Sequence, residues 1–241
     1  MAIAAVFDLD NTLVEGSSLF HFGKEMMRRR FIGPRTILRY ARAEFSYVRK
    51  RAEQDGMPAD VASRVLGMVE GRRQADLIAL ADEFVATRLP RYYVAEVVDR
   101  LTHFTKVGIP TYIATASPQE LADSIARSLG ATGALGTLSE TVDGIYTGRL
   151  AQPIAHGAEK AARVRALLED ADIDLEQSWA FSDSVNDLPL LAMVGNPVAV
   201  HPDKALNQIA LQNSWQVITP KSSNDLGSIA AIFGFHPYPM S

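Results

Sequence analysis

Hydrophobic positions along this chain keep two different periods, and the changeovers between them divide it into an α/β body and an inserted helical unit. The opening run Ile3-Ala4-Ala5-Val6 is apolar and β-prone, and it stops at Phe7-Asp8-Leu9-Asp10. Beyond Asp10 the spacing turns helical and stays so to about Pro90. Phe31, Ile37, Leu38, Phe45 and Val48 recur at that spacing, then Val61, Val65, Leu66 and Val69, then Leu77, Leu80, Phe84 and Val85. Gly33-Pro34, Gly56-Met57-Pro58 and Gly71 punctuate the stretch into about four helices.

From Val94 onward strands and helices alternate. The pattern predicts a helix to about Lys106, a strand over 111–114, a helix over 119–129 and a short strand over 134–138. Asp143-Gly144 between the β-prone arms of 141–147 suits a type I′ hairpin turn. Then follow a helix over 159–168, a strand over 179–181, a helix through Leu190, a strand over 198–200, a helix over 205–211 and an extended stretch over 216–219. Such alternation predicts an α/β fold with a Rossmann-like parallel sheet covered by helices on both faces. The expected organisation is a core of 1–14 plus 91–220, an all-helical cap over 15–90, a small β-hairpin flap, and a tail over 221–241 with one helical turn around 229–233.

Composition narrows the class. The chain has 241 residues, 47% hydrophobic and 22% charged, enough for one large domain or one with an insertion. A net charge of −4 gives no general case for nucleic acid, and the absence of cysteine excludes disulfides and thiolate zinc sites. The first apolar run reaches Asp8 too soon for a signal peptide, and no apolar stretch reaches the roughly 18 residues of a membrane span, so a cytoplasmic protein is expected. Lys24, Arg28, Arg29, Arg30, Arg35, Arg39, Arg42, Arg49, Lys50 and Arg51 face only Glu25 and Glu44 between positions 24 and 51. A solvated helix face is the first reading of that run, with a surface for a phosphorylated substrate or a peripheral contact to an anionic membrane or partner ranked below it.

The chemistry gathers at strand ends. In an open parallel sheet all carboxyl ends face one edge, so acids distant in sequence meet there. Asp8 and Asp10 end the first strand, and Thr115 ends the second, followed by Ser117-Pro118, where Ser117 reads first as a helix cap. Lys160 stands in the first turn of a helix, where a cation opposes the dipole unless an anion sits there. Asp183, Asn186 and Asp187 follow the strand over 179–181. Acids crowded at one edge call for a divalent cation, and all-oxygen ligands favour magnesium over zinc.

Asp8-x-Asp10-x-Thr12, Thr115, Lys160 and Asp183-x-x-Asn186-Asp187, in that order, resemble the four motifs of the haloacid dehalogenase (HAD) superfamily. The helical insertion and the Asp143-Gly144 hairpin resemble its phosphoserine-phosphatase-like branch (subfamily IB). The resemblance implies the HAD fold and a phosphoric monoester hydrolase in which Asp8 attacks phosphorus to give an aspartyl-phosphate. It further implies that Asp10 acts as acid and then base, and that Mg2+ is held by Asp8, the main-chain carbonyl of Asp10 and Asp183. Thr115 and Lys160 would bind the phosphoryl oxygens, and Asn186 and Asp187 would orient Lys160 or water. The helical insertion would be a lid with hinges near 14–16 and 87–91.

Two departures stand out. Ser182 takes a place where the family commonly has glycine. Ser17 takes the place of a substrate-binding glutamate nine residues beyond the nucleophile, which disfavours phosphoserine itself. Glu15 and His21 are the other cap candidates for substrate contact. The expected partner is a small phosphorylated substrate, such as an amino-alcohol, sugar or histidinol phosphate or a lysophospholipid headgroup. Asp10 argues against a true dehalogenase, which needs no acid for a halide. The alternatives are a phosphomutase or phosphotransferase of the same superfamily, and a non-catalytic scaffold binding an anionic partner or membrane through the basic cap. Oligomeric state is left open.

Overall fold

A computed structural model describes residues 2–32 and 68–219 of the chain. The helices expected within 33–67, the basic positions Arg35 to Arg51 and the tail with its helical turn lie outside the described residues. The sheet contains β1 (Ala5–Phe7), β2 (Thr111–Pro118), β3 (Gly133–Thr137), β6 (Trp179–Ser182), β7 (Asn196–Val200) and β8 (Gln216–Ile218). Their order is β3-β2-β1-β6-β7-β8, and every neighbouring pair is parallel. The chain therefore builds outward from β1 in one direction and then from β6 in the other. Their boundary is a topological switch point, and ligands of such sheets bind in the crevice at its carboxyl edge.

Period-two alternation sends the two faces of β1 into different apolar layers. Ala5, Phe7 and Leu9 join Phe22 of α1 (Ser18–Arg28), Phe84 of α2 (Gln74–Thr87), Leu101 of α3 (Ala95–Lys106) and Ile125 of α4 (Gln119–Leu129). Ala4 and Val6 join Val164 and Leu168 of α5 (Gly157–Asp170), Leu190 of α6 (Leu188–Leu191) and Leu206 of α7 (Lys204–Gln212). The Phe7 and Phe181 rings stack with centroids 4.3 Å apart and lock β1 to β6 at the level where the site begins.

The hairpin forms as the sequence predicts. β4 (Ser139–Val142) and β5 (Ile145–Leu150) are joined through Asp143 and Gly144, whose φ angles of 50° and 75° are the positive pair a type I′ turn needs. It is stitched to the start of α2: the amide of Gln74 donates to the Gly144 carbonyl at 2.8 Å, and that of Tyr146 to Arg72 at 2.9 Å. The chain bordering the two expected hinge segments, 14–16 and 87–91, is joined, since Glu15 donates to the Tyr92 carbonyl at 2.7 Å and Val94 to the Leu13 carbonyl at 3.0 Å.

Two elements differ from expectation. β2 continues past Ala114 to Pro118 through a register shift, and Pro118, not Ser117, occupies the N-cap of α4 without any side-chain cap. The Ser117 hydroxyl is drawn to Ser18 instead, at 2.8 Å. The helix expected through Leu190 is a single 3-10 turn (Val185–Asp187) followed by the four residues of α6, because Pro189 has no amide to donate and favours a helix start.

Two of the four described basic residues of the run, Arg28 and Arg29, are ion-paired. Arg28 and Arg29 both bind the buried carboxylate of Glu25, and Arg29 also reaches Glu83. Those hydrogen bonds hold Glu25 at about 2, below its ordinary 4.5, so its stabilisation is complete above about pH 4.5 and is lost as pH falls toward 2. Both guanidiniums are well exposed, which limits the effect to about 1 kcal/mol. Glu25→Gln should lower the unfolding free energy by up to that amount at neutral pH, with the difference from wild type shrinking in acid. Urea titrations at several pH values check this, and a difference that persists undiminished at about pH 3 contradicts it.

Candidate active site

The site grows from the face of the sheet that α5 covers. Ala4 and Val6 point to that face, and the next residue in the alternation is Asp8. On β6 the same face carries Ala180 and then Ser182. Parallel register sets Phe7 beside Phe181, and the Asp8 amide donates to the Phe181 carbonyl at 2.9 Å, so the ends of the two strands are fastened together. α5 starts at Gly157 and brings Lys160, in its first turn, over this edge.

Lys160 is 3% exposed, and its ammonium donates to Asp8 Oδ1 and to Asp187 Oδ2, both at 2.8 Å. Burial pulls the lysine pKa down, but the two carboxylates outweigh it and the net shift is upward, so Lys160 stays charged. Burial pushes Asp8 up to about 7 against the opposing pull of Lys160. Asp183, half-buried in the loop after β6, is pushed up to about 6 for the same first reason, and Asp10 is also raised by burial. Carboxyls held above their usual range by desolvation are groups whose charged form a nearby cation would favour.

Asp10 and Thr115 belong to a second, connected network. The Ser18 amide in the first turn of α1 donates to Asp10 Oδ1 at 2.7 Å, the Ser18 and Ser117 hydroxyls meet, and the Ser117 amide donates to Thr115 Oγ1 at 3.0 Å. The Asp10 carboxylate is thus held at a helix N-terminus, where negative charge is favoured. Asp203 braces the loop after β6: its amide donates to the Asp183 carbonyl and its carboxylate accepts from the Val185 amide, each at 2.8 Å.

The structure therefore joins Asp8, Lys160 and Asp187 directly and places Asp183 one residue beyond Ser182. The Asn186 amide donates to Ser184 Oγ at 3.2 Å in the adjoining 3-10 turn. The cap candidates have structural engagements. Ser17 is exposed and caps α1 by accepting from the Phe20 amide, and Glu15 is exposed at a linker. His21 stacks on Tyr92 with ring centroids 3.8 Å apart and meets the Glu15 carbonyl at 2.9 Å. Sequence reasoning missed Ser18 and Asp203. Serine before a helical run is a cap signal, but its reach to Asp10 comes from tertiary placement.

Among the described residues no three His, Asp or Glu side chains gather as metal ligands. A cation would thus rest on two side-chain carboxylates, Asp8 and Asp183, with the main-chain carbonyl of Asp10. Such an all-oxygen donor set fits a hard ion such as magnesium, which keeps several of its own waters.

The sequence profile of the haloacid dehalogenase-like hydrolases matches residues 5–192. This chain belongs to that family. It is 40% identical over 227 residues to the Mycobacterium tuberculosis protein named phosphoserine phosphatase SerB1, covering 90% of this chain and 70% of that one. It is 26% identical over 223 residues to a histidinol-phosphatase of Neisseria meningitidis, covering 90% and 98%. A Bordetella pertussis Tohama I protein of unknown function superposes with a TM-score of 0.79 at 28% identity, covering 92% of this chain and 100% of that one. The chain is a hydrolase of the phosphoserine-phosphatase-like branch, a phosphatase in class, and the parallel sheet with its inserted helices is the HAD fold.

Removing the buried ammonium leaves Asp8 and Asp187 facing one another uncompensated. Lys160→Met should therefore cost about 3 kcal/mol of unfolding free energy in metal-free buffer. Denaturant titration at neutral pH measures it, and a loss below about 1 kcal/mol contradicts the pairing as the main compensation for those acids.

Proposed function

We propose that this phosphatase hydrolyses small phosphomonoesters with magnesium through an aspartyl-phosphate at Asp8. The observation that carries the reading is the Asp8 carboxylate at the switch-point edge, 2.8 Å from a buried lysine, with Asp10 held separately by an α-helix amide. A nucleophile and an acid two residues apart, given different partners, are set up for different protonation roles.

In this reading an oxygen of Asp8 forms a bond to phosphorus as the ester P–O bond breaks, and Asp10 gives its proton to the departing alkoxide. Asp10, now ionised, takes a proton from a water that attacks the acyl phosphate, releasing orthophosphate and restoring Asp8. Lys160, fixed by Asp187, and Thr115 hold nonbridging phosphoryl oxygens, and Asn186 supports that loop. Magnesium, held by Asp8, Asp183 and the Asp10 carbonyl, would neutralise charge that otherwise keeps an anionic nucleophile from an anionic substrate. The segment 15–90 acts as a cap over the core of 1–14 plus 91–220 and selects the substrate.

Position 17 shapes that selection. Serine there has no charge to meet an amino-acid ammonium, and its hydroxyl already caps α1. The substrates are accordingly small phosphomonoesters other than phosphoserine, such as amino-alcohol, sugar or histidinol phosphates. Orthophosphate release across such a set should rank at least one of them above phosphoserine, and phosphoserine as the best substrate contradicts the reading of Ser17.

Asp8→Asn should abolish phosphate release from every substrate of the wild type, and EDTA should silence the wild type until magnesium is restored. Near-normal turnover by the variant removes Asp8 as nucleophile. Full activity of the chelated wild type removes the cation.

A further inference from the structure

Asp187 is 3% exposed, yet its carboxylate is held on one side alone. Oδ2 accepts from Lys160 at 2.8 Å and from the Ser182 hydroxyl at 2.7 Å, while Oδ1 is buried with no hydrogen-bond partner. Lys160 cannot fix that carboxylate unaided, because the same ammonium also binds Asp8. Ser182 is fully buried at the end of β6, paired to Ala199 of β7, and the rigid centre of the sheet sets its position. Its hydroxyl has a defined direction. The Ser184 amide donates to Ser182 Oγ at 3.3 Å, which leaves the single hydroxyl proton for Asp187.

We propose that Ser182 is a positioning residue of the phosphoryl-transfer site: its hydroxyl chooses which Asp187 oxygen faces Lys160 and so aims the ammonium at Asp8 and the phosphoryl group. This rests on the phosphatase reading of the same site. A glycine or alanine at 182 would leave Asp187 held by Lys160 alone. The carboxylate would then turn about its terminal bond, whose torsional wells are broad. A lysine aimed less well is felt where charge develops, in the transition state, more than in ground-state binding.

The test is a double-mutant cycle on p-nitrophenyl phosphate at saturating magnesium. Ser182→Ala should lower kcat about tenfold, the scale of one hydrogen bond to a charged group, with KM changed less than about twofold. In an Asp187→Asn background the same change should cost nothing further, since its route to the reaction is already cut. Thermal unfolding of each variant verifies that all are folded, and Ser182→Gly, which also lacks the hydroxyl, takes the place of Ser182→Ala if that variant does not fold. Wild-type kcat in Ser182→Ala overturns the proposal, as does a tenfold loss that multiplies with Asp187→Asn, because Ser182 would then act by another route. A wild type that releases no phosphate, or an Asp8→Asn that still does, defeats the parent phosphatase reading instead. A dead Asp8→Asn beside an unimpaired Ser182→Ala defeats the role of Ser182 alone.

Discussion

Burying a lysine ammonium costs several kcal/mol unless partners replace its water, and Lys160 has two such partners in Asp8 and Asp187. The cost runs in both directions, because each carboxylate is itself 6% exposed or less and has the lysine as its counter-charge. Three elements distant in sequence, the end of β1, the first turn of α5 and the turn after β6, are thereby compelled to meet at one point. A buried ion pair of this kind is weak evidence for stability but strong evidence for placement, since removing any member strands the others.

The rest of the molecule makes that meeting possible. The strand order reverses between β1 and β6, which opens a crevice at their carboxyl ends, and the Phe7–Phe181 stack keeps the two strands in step beneath it. Alternation along β1 and β6 then decides which side chains face α5. On the other side of the edge, α1 enters with Ser18 against Asp10 and Ser117, so the first helix of the insertion is wired to the residue read as the acid. The hairpin is tied to α2, and Tyr146 reaches Glu120 of α4 at 2.6 Å. Insertion, hairpin and core share hydrogen bonds at the rim of the crevice.

Much of this was legible in the order of residues. Asp8 and Asp10 at a strand end, Lys160 at a helix start and Asp183 with Asp187 after the strand over 179–181 could be located by local pattern, and the parallel sheet then predicts their convergence. Asp143-Gly144 fixed its turn because both positions need positive φ. What escaped depends on partners far along the chain. Ser117 looks like a cap until Ser18, 99 residues away, takes its hydroxyl. Ser182 looks only like a departure from the family's glycine until the turn after β6 brings Asp187 to it. Local propensity does not carry such information, and short polar side chains with several possible partners are where it fails first.

Covalent capture tests the central claim most directly. Wild-type enzyme mixed with a turnover substrate and magnesium, quenched in acid within milliseconds and digested, should yield one phosphorylated peptide, with the label on Asp8 and removable by hydroxylamine as an acyl phosphate is. Phosphate attached elsewhere, or burst-phase product with no phosphoryl group on Asp8, would contradict the account.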